Sequence, residues 1–306
     1  MKTIYEYLIG QSSKRYVIKA YDDNIRQIVE DEINRLGDHA DLNHIDVSRV
    51  TNLSNIFNFV RRGSSDDIRK IYPDISCWDV HNVESMQKAF AWLVDWDCDL
   101  NSWDTNALKN TQMTFAHCYK FNSPLNNWNT KKLQVTNKMF YFCENYNQDL
   151  GDWDIMNLNN SDEMFSYCEK FEGKGLGNWK SVKLESAKRM FEGCENFNED
   201  ISQWRFPRLK DVTGMFQDCK KFDKPLNSWD VRPIQIMKLL FNNCEKFNQP
   251  LYKWNVDNVT DFTGMFKDAK SFNQDLRNWN IDKKASREEM FLGSDIIPEY
   301  MPRRNR

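Results

Sequence analysis

Eight cysteines and four histidines are the residues of this 306-residue chain best suited to metal or redox chemistry. Six of the cysteines, Cys118, Cys143, Cys168, Cys194, Cys219 and Cys244, recur at steps of 25 or 26 residues. No Cys-x-x-Cys pair is present, and His39, His44, His81 and His117 share no repeat position, so no metal site is expected. If each cysteine sits on a helix one repeat from the next, the helices lie about 8–10 Å apart, beyond the roughly 7 Å Cα separation that a disulfide spans. A buried ladder of reduced thiols, packing as small hydrophobes, is therefore expected. Tryptophan offers a second chemistry, since exposed rings stack on sugars. No Ser-His-Asp set, phosphate loop or isolated carboxylate pair stands out. Neither catalytic residues nor a cofactor is expected, and the chain reads as a non-enzyme.

These residues are positioned by a repeat. Trp78, Trp103, Trp128, Trp153, Trp179, Trp204, Trp229, Trp254 and Trp279 are 25 residues apart, except for one step of 26 across Gly173-Lys174-Gly175. Three residues before each stands Leu or Ile, and five residues after most of them another aliphatic, as in Leu226 and Ile234 around Trp229. Met-Phe follows at eleven and twelve (Met215-Phe216), Cys at fifteen (Cys219), and an aromatic, often with Asn, at eighteen (Phe247-Asn248). A degenerate copy precedes these, with Ile45 in the Trp place and Phe57 twelve residues on.

The offsets 11, 12, 15 and 18 follow i, i+1, i+4, i+7, the spacing of one face of a short helix. Leu226-Asn227-Ser228-Trp229-Asp230-Val231 has the L-x-x-L-x-L spacing of a leucine-rich-repeat strand, with Trp in the middle. The expected fold is α/β: a leucine-rich-repeat-like solenoid of about ten strand-plus-short-helix units of 25 residues. Each unit is too small to bury its own apolar face, so stacking must make the core. An inward strand position makes the Trp row core rather than a sugar platform.

The unit, carried by Trp229-Asp230-Val231, Met215-Phe216, Cys219 and Phe247-Asn248-Gln249-Pro250-Leu251, resembles the BspA-type leucine-rich-repeat family, also described as a mycoplasma lipoprotein-type repeat of unknown function. The resemblance spans about residues 42–297. It implies a surface or adhesive role, because members are mostly secreted or surface proteins of bacteria and some protists, and related repeats occur in phages. It implies no catalytic residues.

Residues 1–41 do not repeat and read as a small α+β cap, with a strand near Tyr16–Ala20 and an amphipathic helix over Asp23–Leu36 that Gly37 stops. Residues 42–297 form the repeats, with an insertion at about 58–74, and 298–306 a tail. The start lacks the apolar core of a signal peptide, so the expected location is the cytoplasm, or a virion or host cytoplasm if the chain is phage-encoded. No apolar run is long enough for a membrane helix, and a net charge of −3 argues against nucleic acid. A protein partner is expected instead, met by the exposed strand face, whose side chains vary while the scaffold repeats. The candidate residues are Asp79, Asp104, Asp154 and Asp230, with Lys180 and Arg205 between, plus Arg61 and Arg62 in the insertion. The plainer readings are a solvated strand surface and a tolerated loop. The alternative function is a structural or adhesive part of a virion or cell surface.

Overall fold

The computed structural model describes residues 16–61 and 68–302. In the cap, β1 (Ile18–Lys19) pairs in parallel with β2 (Ile45–Asp46) of the degenerate copy, Ile18 opposite Ile45. Between them lies α1 (Ile25–Leu36), which buries Ile25, Val29 and Ile33 and ends at Gly37, whose φ of 93° suits a residue without Cβ. The fully buried Glu32 on α1 is met by Arg35 and, at 2.7 Å, by His44 Nε2. Asp22 accepts the Thr51 and Asn52 amides at 2.7 and 3.0 Å, tying the cap to the first copy.

From there one pattern repeats. Seven residues past each Trp, a parallel bridge joins successive copies: Ser85 to Asn110, Asn110 to Val135, Val135 to Asn160, and onward to Asp261 and Ser286. The amides at offsets 8, 10, 12 and 14 donate to the next copy. In the copy of Trp128 these bonds run from Thr136 to Asn160, Lys138 to Asp162, Phe140 to Met164 and Phe142 to Ser166, at 2.9–3.2 Å. The intervening amides close turns within the copy, as Met139 to Thr136, Tyr141 to Lys138 and Cys143 to Phe140. Every amide from offset 10 to 15 is thereby satisfied, which the buried segment requires.

This is not the helix that the spacing predicts. Among the described residues α1 is the only α-helix. An α-helix would direct the offset-12 and offset-14 amides four residues back, but here they face the neighbouring copy. The residues at offsets 10 and 14 are left-handed to make this possible, Lys138 at φ 55° and Phe142 at 59°, with counterparts in the other copies. Such a conformation is unfavourable by about 1–2 kcal/mol at a non-glycine residue. The inter-copy bonds and the stacked core offset it. The apolar face is as expected, because the turns leave offsets 11, 12, 15 and 18 pointing inward.

The L-x-x-W segment is likewise a turn and not a strand. Each Trp amide donates to the carbonyl three residues before it, at 3.0–3.2 Å in all nine copies. In every copy but that of Trp103 the indole Nε1 donates to the same carbonyl of the preceding copy, as Trp153 to Leu125 at 2.9 Å. In these copies the carbonyl thus uses both lone pairs, which gives the indole N–H at this position a structural role. The phenylalanines at offset 12 stack at 5.4–5.9 Å through Phe90, Phe115, Phe140, Phe165, Phe191, Phe216, Phe241, Phe266 and Phe291. Each repeat Cys is fully buried, free, and donates Sγ–H to the offset-12 carbonyl of the preceding copy, as Cys143 to Phe115 at 3.0 Å. The Asn after the aromatic joins copies too: Asn122 Oδ1 accepts the Asn147 amide, and Asn248 Oδ1 the Asn273 amide, at 2.9 and 3.0 Å. No helix among the described residues is long and apolar enough to cross a membrane.

Candidate binding cleft

The expected partner-binding row lies on turns, not on a strand face. One residue past the Trp, an Asp or Asn accepts the amide two residues on: Asp104 from Asn106 at 3.0 Å, Asp154 from Met156 at 3.0 Å, Asp230 from Arg232 at 3.2 Å. Asp79 accepts from the His81 amide and, at 2.7 Å, its ring Nδ1. These carboxylates close Asx turns, so their identity is explained locally.

Two adjacent copies lack that residue. At Lys180 the neighbouring Ser181 substitutes, its Oγ accepting the Lys183 and Leu184 amides at 3.2 and 3.1 Å and donating to the Leu158 carbonyl. At Arg205 the guanidinium folds back, Nη1 donating to the Ser202 and Trp204 carbonyls at 3.2 and 2.7 Å. The next position is equally irregular. Val80, Thr130, Ile155, Val231 and Val256 stand there in other copies, whereas here it is the small, buried Ser181 followed by the oversized Phe206. Phe206 stays half-buried, its ring against Trp204 at 4.8 Å.

The outcome is a cleft of about 330 Å³, lined by Met156, Val182, Trp204, Phe206, Pro207, Leu209, Trp229 and Ile234, with Lys180, Ser181, Arg205 and Asp230 also in its wall. Trp229 is 8% exposed, against 4% or less for the other eight repeat tryptophans. Val182 and Met156 are 48% and 40% exposed. The structure therefore brings together Lys180, Arg205 and Asp230. Asp79, Asp104 and Asp154 are outside the cleft lining, and Arg62 lies outside the described residues. Arg61 sits elsewhere, its guanidinium over the Trp92 ring at 4.6 Å, beside a cavity of about 280 Å³ that Lys88 and Met113 help to line.

That contact opens a column the sequence reading missed. At offset 14, Trp92, His117, Phe142 and Tyr167 stack face to face at 3.8, 5.2 and 4.5 Å. The column stops at Gly193, where an added Cβ would fall 2.6 Å from Tyr167 Cδ1. Its signal was the common 25-residue step, hidden because the four residues are of four types. Burial, reinforced by the Arg61 and Lys138 charges, pushes the His117 pKa down to about 4. Burial pushes the repeat thiols well up, and Cys98 up to about 11.

Fold and site together define a repeat protein whose copies are joined by backbone bonds and whose one apolar cleft among the cavities described interrupts that regularity. The family described as Mycoplasma protein of unknown function, DUF285, matches residues 26–140, 62–179, 143–238 and 185–299. The chain belongs to this family. No curated protein matches it.

Proposed function

We propose that the chain is a non-enzymatic interaction protein, a solenoid of BspA-type leucine-rich-repeat kind that binds a protein partner through the turns following its tryptophan row. One observation carries this reading: the turns at Lys180 and Arg205 depart from the repeat and form an apolar cleft. In a stacked array the framework is dictated by neighbouring copies, so a local departure that exposes apolar surface points to recognition. The groups suited to chemistry are engaged in the framework. The row carboxylates close turns, the repeat thiols donate to carbonyls, and the His117 ring is enclosed between Trp92 and Phe142.

Affinity capture from the source cell's extract tests the proposal with two double variants. Lys180→Glu with Arg205→Glu is expected to lose the captured protein. Lys246→Glu with Lys270→Glu, exposed residues outside these turns, is expected to retain it. Capture unchanged by the first pair, or lost equally with both, would contradict a partner site on these turns.

A further inference from the structure

Resting on that reading, we propose that the cleft receives a single aromatic or aliphatic side chain of an acidic peptide segment. Its volume of about 330 Å³ stands at the lower end of the range for small-ligand clefts, about 300–1,000 Å³, which suits one side chain and its neighbours better than a large ligand. The buried Trp204, Trp229 and Ile234 line it together with the more exposed Val182 and Phe206. A flat aromatic or branched aliphatic group fills such a space without leaving a polar atom unpaired.

Charge selects the segment around that side chain. The turns that bear the cleft carry Lys180, Lys183, Arg205, Arg208 and Arg232 against two carboxylates, Asp230 and, in the turn of Met156, Asp154. Arg232 already holds Asp230 bidentately, Nε and Nη2 at 2.8 and 2.7 Å. Lys180 makes no ion pair among the described residues, and Arg205 donates only through Nη1, so Nε and Nη2 remain to meet an incoming carboxylate. This cationic rim stands on a chain whose net charge is −3, so the sign is reversed locally. Carboxylates flanking an apolar side chain complement both features, and Arg can bind a carboxylate in a forked geometry.

The test uses three fluorescein-labelled peptides and the full chain, read by anisotropy: Asp-Glu-Phe-Asp-Glu, its Asp-Glu-Ala-Asp-Glu counterpart, and Lys-Lys-Phe-Lys-Lys. The first is expected to bind saturably, the alanine peptide at least tenfold more weakly, and the basic peptide not at all. Val182→Asp is expected to weaken the first peptide at least tenfold. The Lys180→Glu, Arg205→Glu double variant is expected to invert the preference between acidic and basic peptides. Val182, Lys180 and Arg205 are all exposed, so both proteins should melt close to the parent. Should a variant melt early, the three-peptide comparison on the parent chain decides. Absence of saturable binding up to about 1 mM, or equal affinity for the alanine peptide, overturns the proposal. Binding that Val182→Asp leaves intact overturns the assignment to this cleft while the broader reading stands on the capture experiment. A single-stranded oligonucleotide that displaces the peptide with equal affinity would show a general anion site and also overturn it.

Discussion

Trp103 and Trp128 form a matched pair for measuring what the indole N–H contributes. Both are buried, at 3% and 2% exposure, and they stack on each other at 6.4 Å. Each lies about equally far from the phenylalanine of the preceding copy, Trp103 6.0 Å from Phe90 and Trp128 6.1 Å from Phe115. Trp128 Nε1 donates to the Leu100 carbonyl at 2.9 Å. Trp103 Nε1 has no partner. Trimming either ring to Phe removes similar packing, about 1–2 kcal/mol, part of the about 3–5 kcal/mol of a full truncation to Ala. Trp128→Phe also loses a hydrogen bond of about 1 kcal/mol, whereas Trp103→Phe removes an unpaired buried donor worth about 1–3 kcal/mol in the opposite direction. The expected loss is about 2–3 kcal/mol for Trp128→Phe, whereas Trp103→Phe is expected to fall between a loss of about 1 kcal/mol and a gain of about 2 kcal/mol. Urea melts of the two variants, at equal m-values, give the difference. Equal destabilisation would refute the structural role given to the indole bond.

Other outcomes follow from the same geometry. His117 binds its proton only near pH 4 when folded but near 6.5 when unfolded, so its contribution to stability is intact above pH 6.5 and falls as pH drops towards 4. His117→Phe, which matches Phe142 in the column, is expected to melt progressively higher than the parent between pH 7 and 4.5, and a constant difference would contradict this. Alkylation of the native protein is expected to modify exposed Cys77 first and Cys98 slowly, leaving the six repeat thiols for the denatured chain. Any of the six labelled before unfolding removes the buried ladder. Asp104→Lys and Asp154→Lys each lose an Asx turn and are expected to destabilise by about 0.5–1 kcal/mol, whereas Asp104→Asn keeps its acceptor and the parent's stability. Identical melts for Asp104→Lys and Asp104→Asn would show that the turn bond contributes nothing.

The period, the inward positions and the linking Asn were legible because each copy writes them again. Apolar spacing says which side chains point inward, but not which backbone dihedrals bring them there. Met139, Phe140, Cys143 and Tyr146 satisfy a helical face and equally a run of turns with left-handed Lys138 and Phe142. The choice is made by amides that bond to the next copy, a contact 25 residues away. The same error moved the Asp row onto a strand face, when its recurrence reports turn closure. The cleft was half legible: Lys180 and Arg205 were visible as exceptions in an acidic row, but the role of the small Ser181 and the misfit of Phe206 needed the neighbouring side chains to be seen. The offset-14 column was missed because period and not residue type defines it.

Amide hydrogen exchange of the full chain, with and without the Asp-Glu-Phe-Asp-Glu peptide, tests most directly whether recognition resides in the irregular turns. The account predicts added protection in 180–184, 204–209 and 229–234, with the amides of the inter-copy bonds already slow in both samples. Protection along the Trp92–Tyr167 column, or on the Asp79 and Asp104 turns instead, would contradict it.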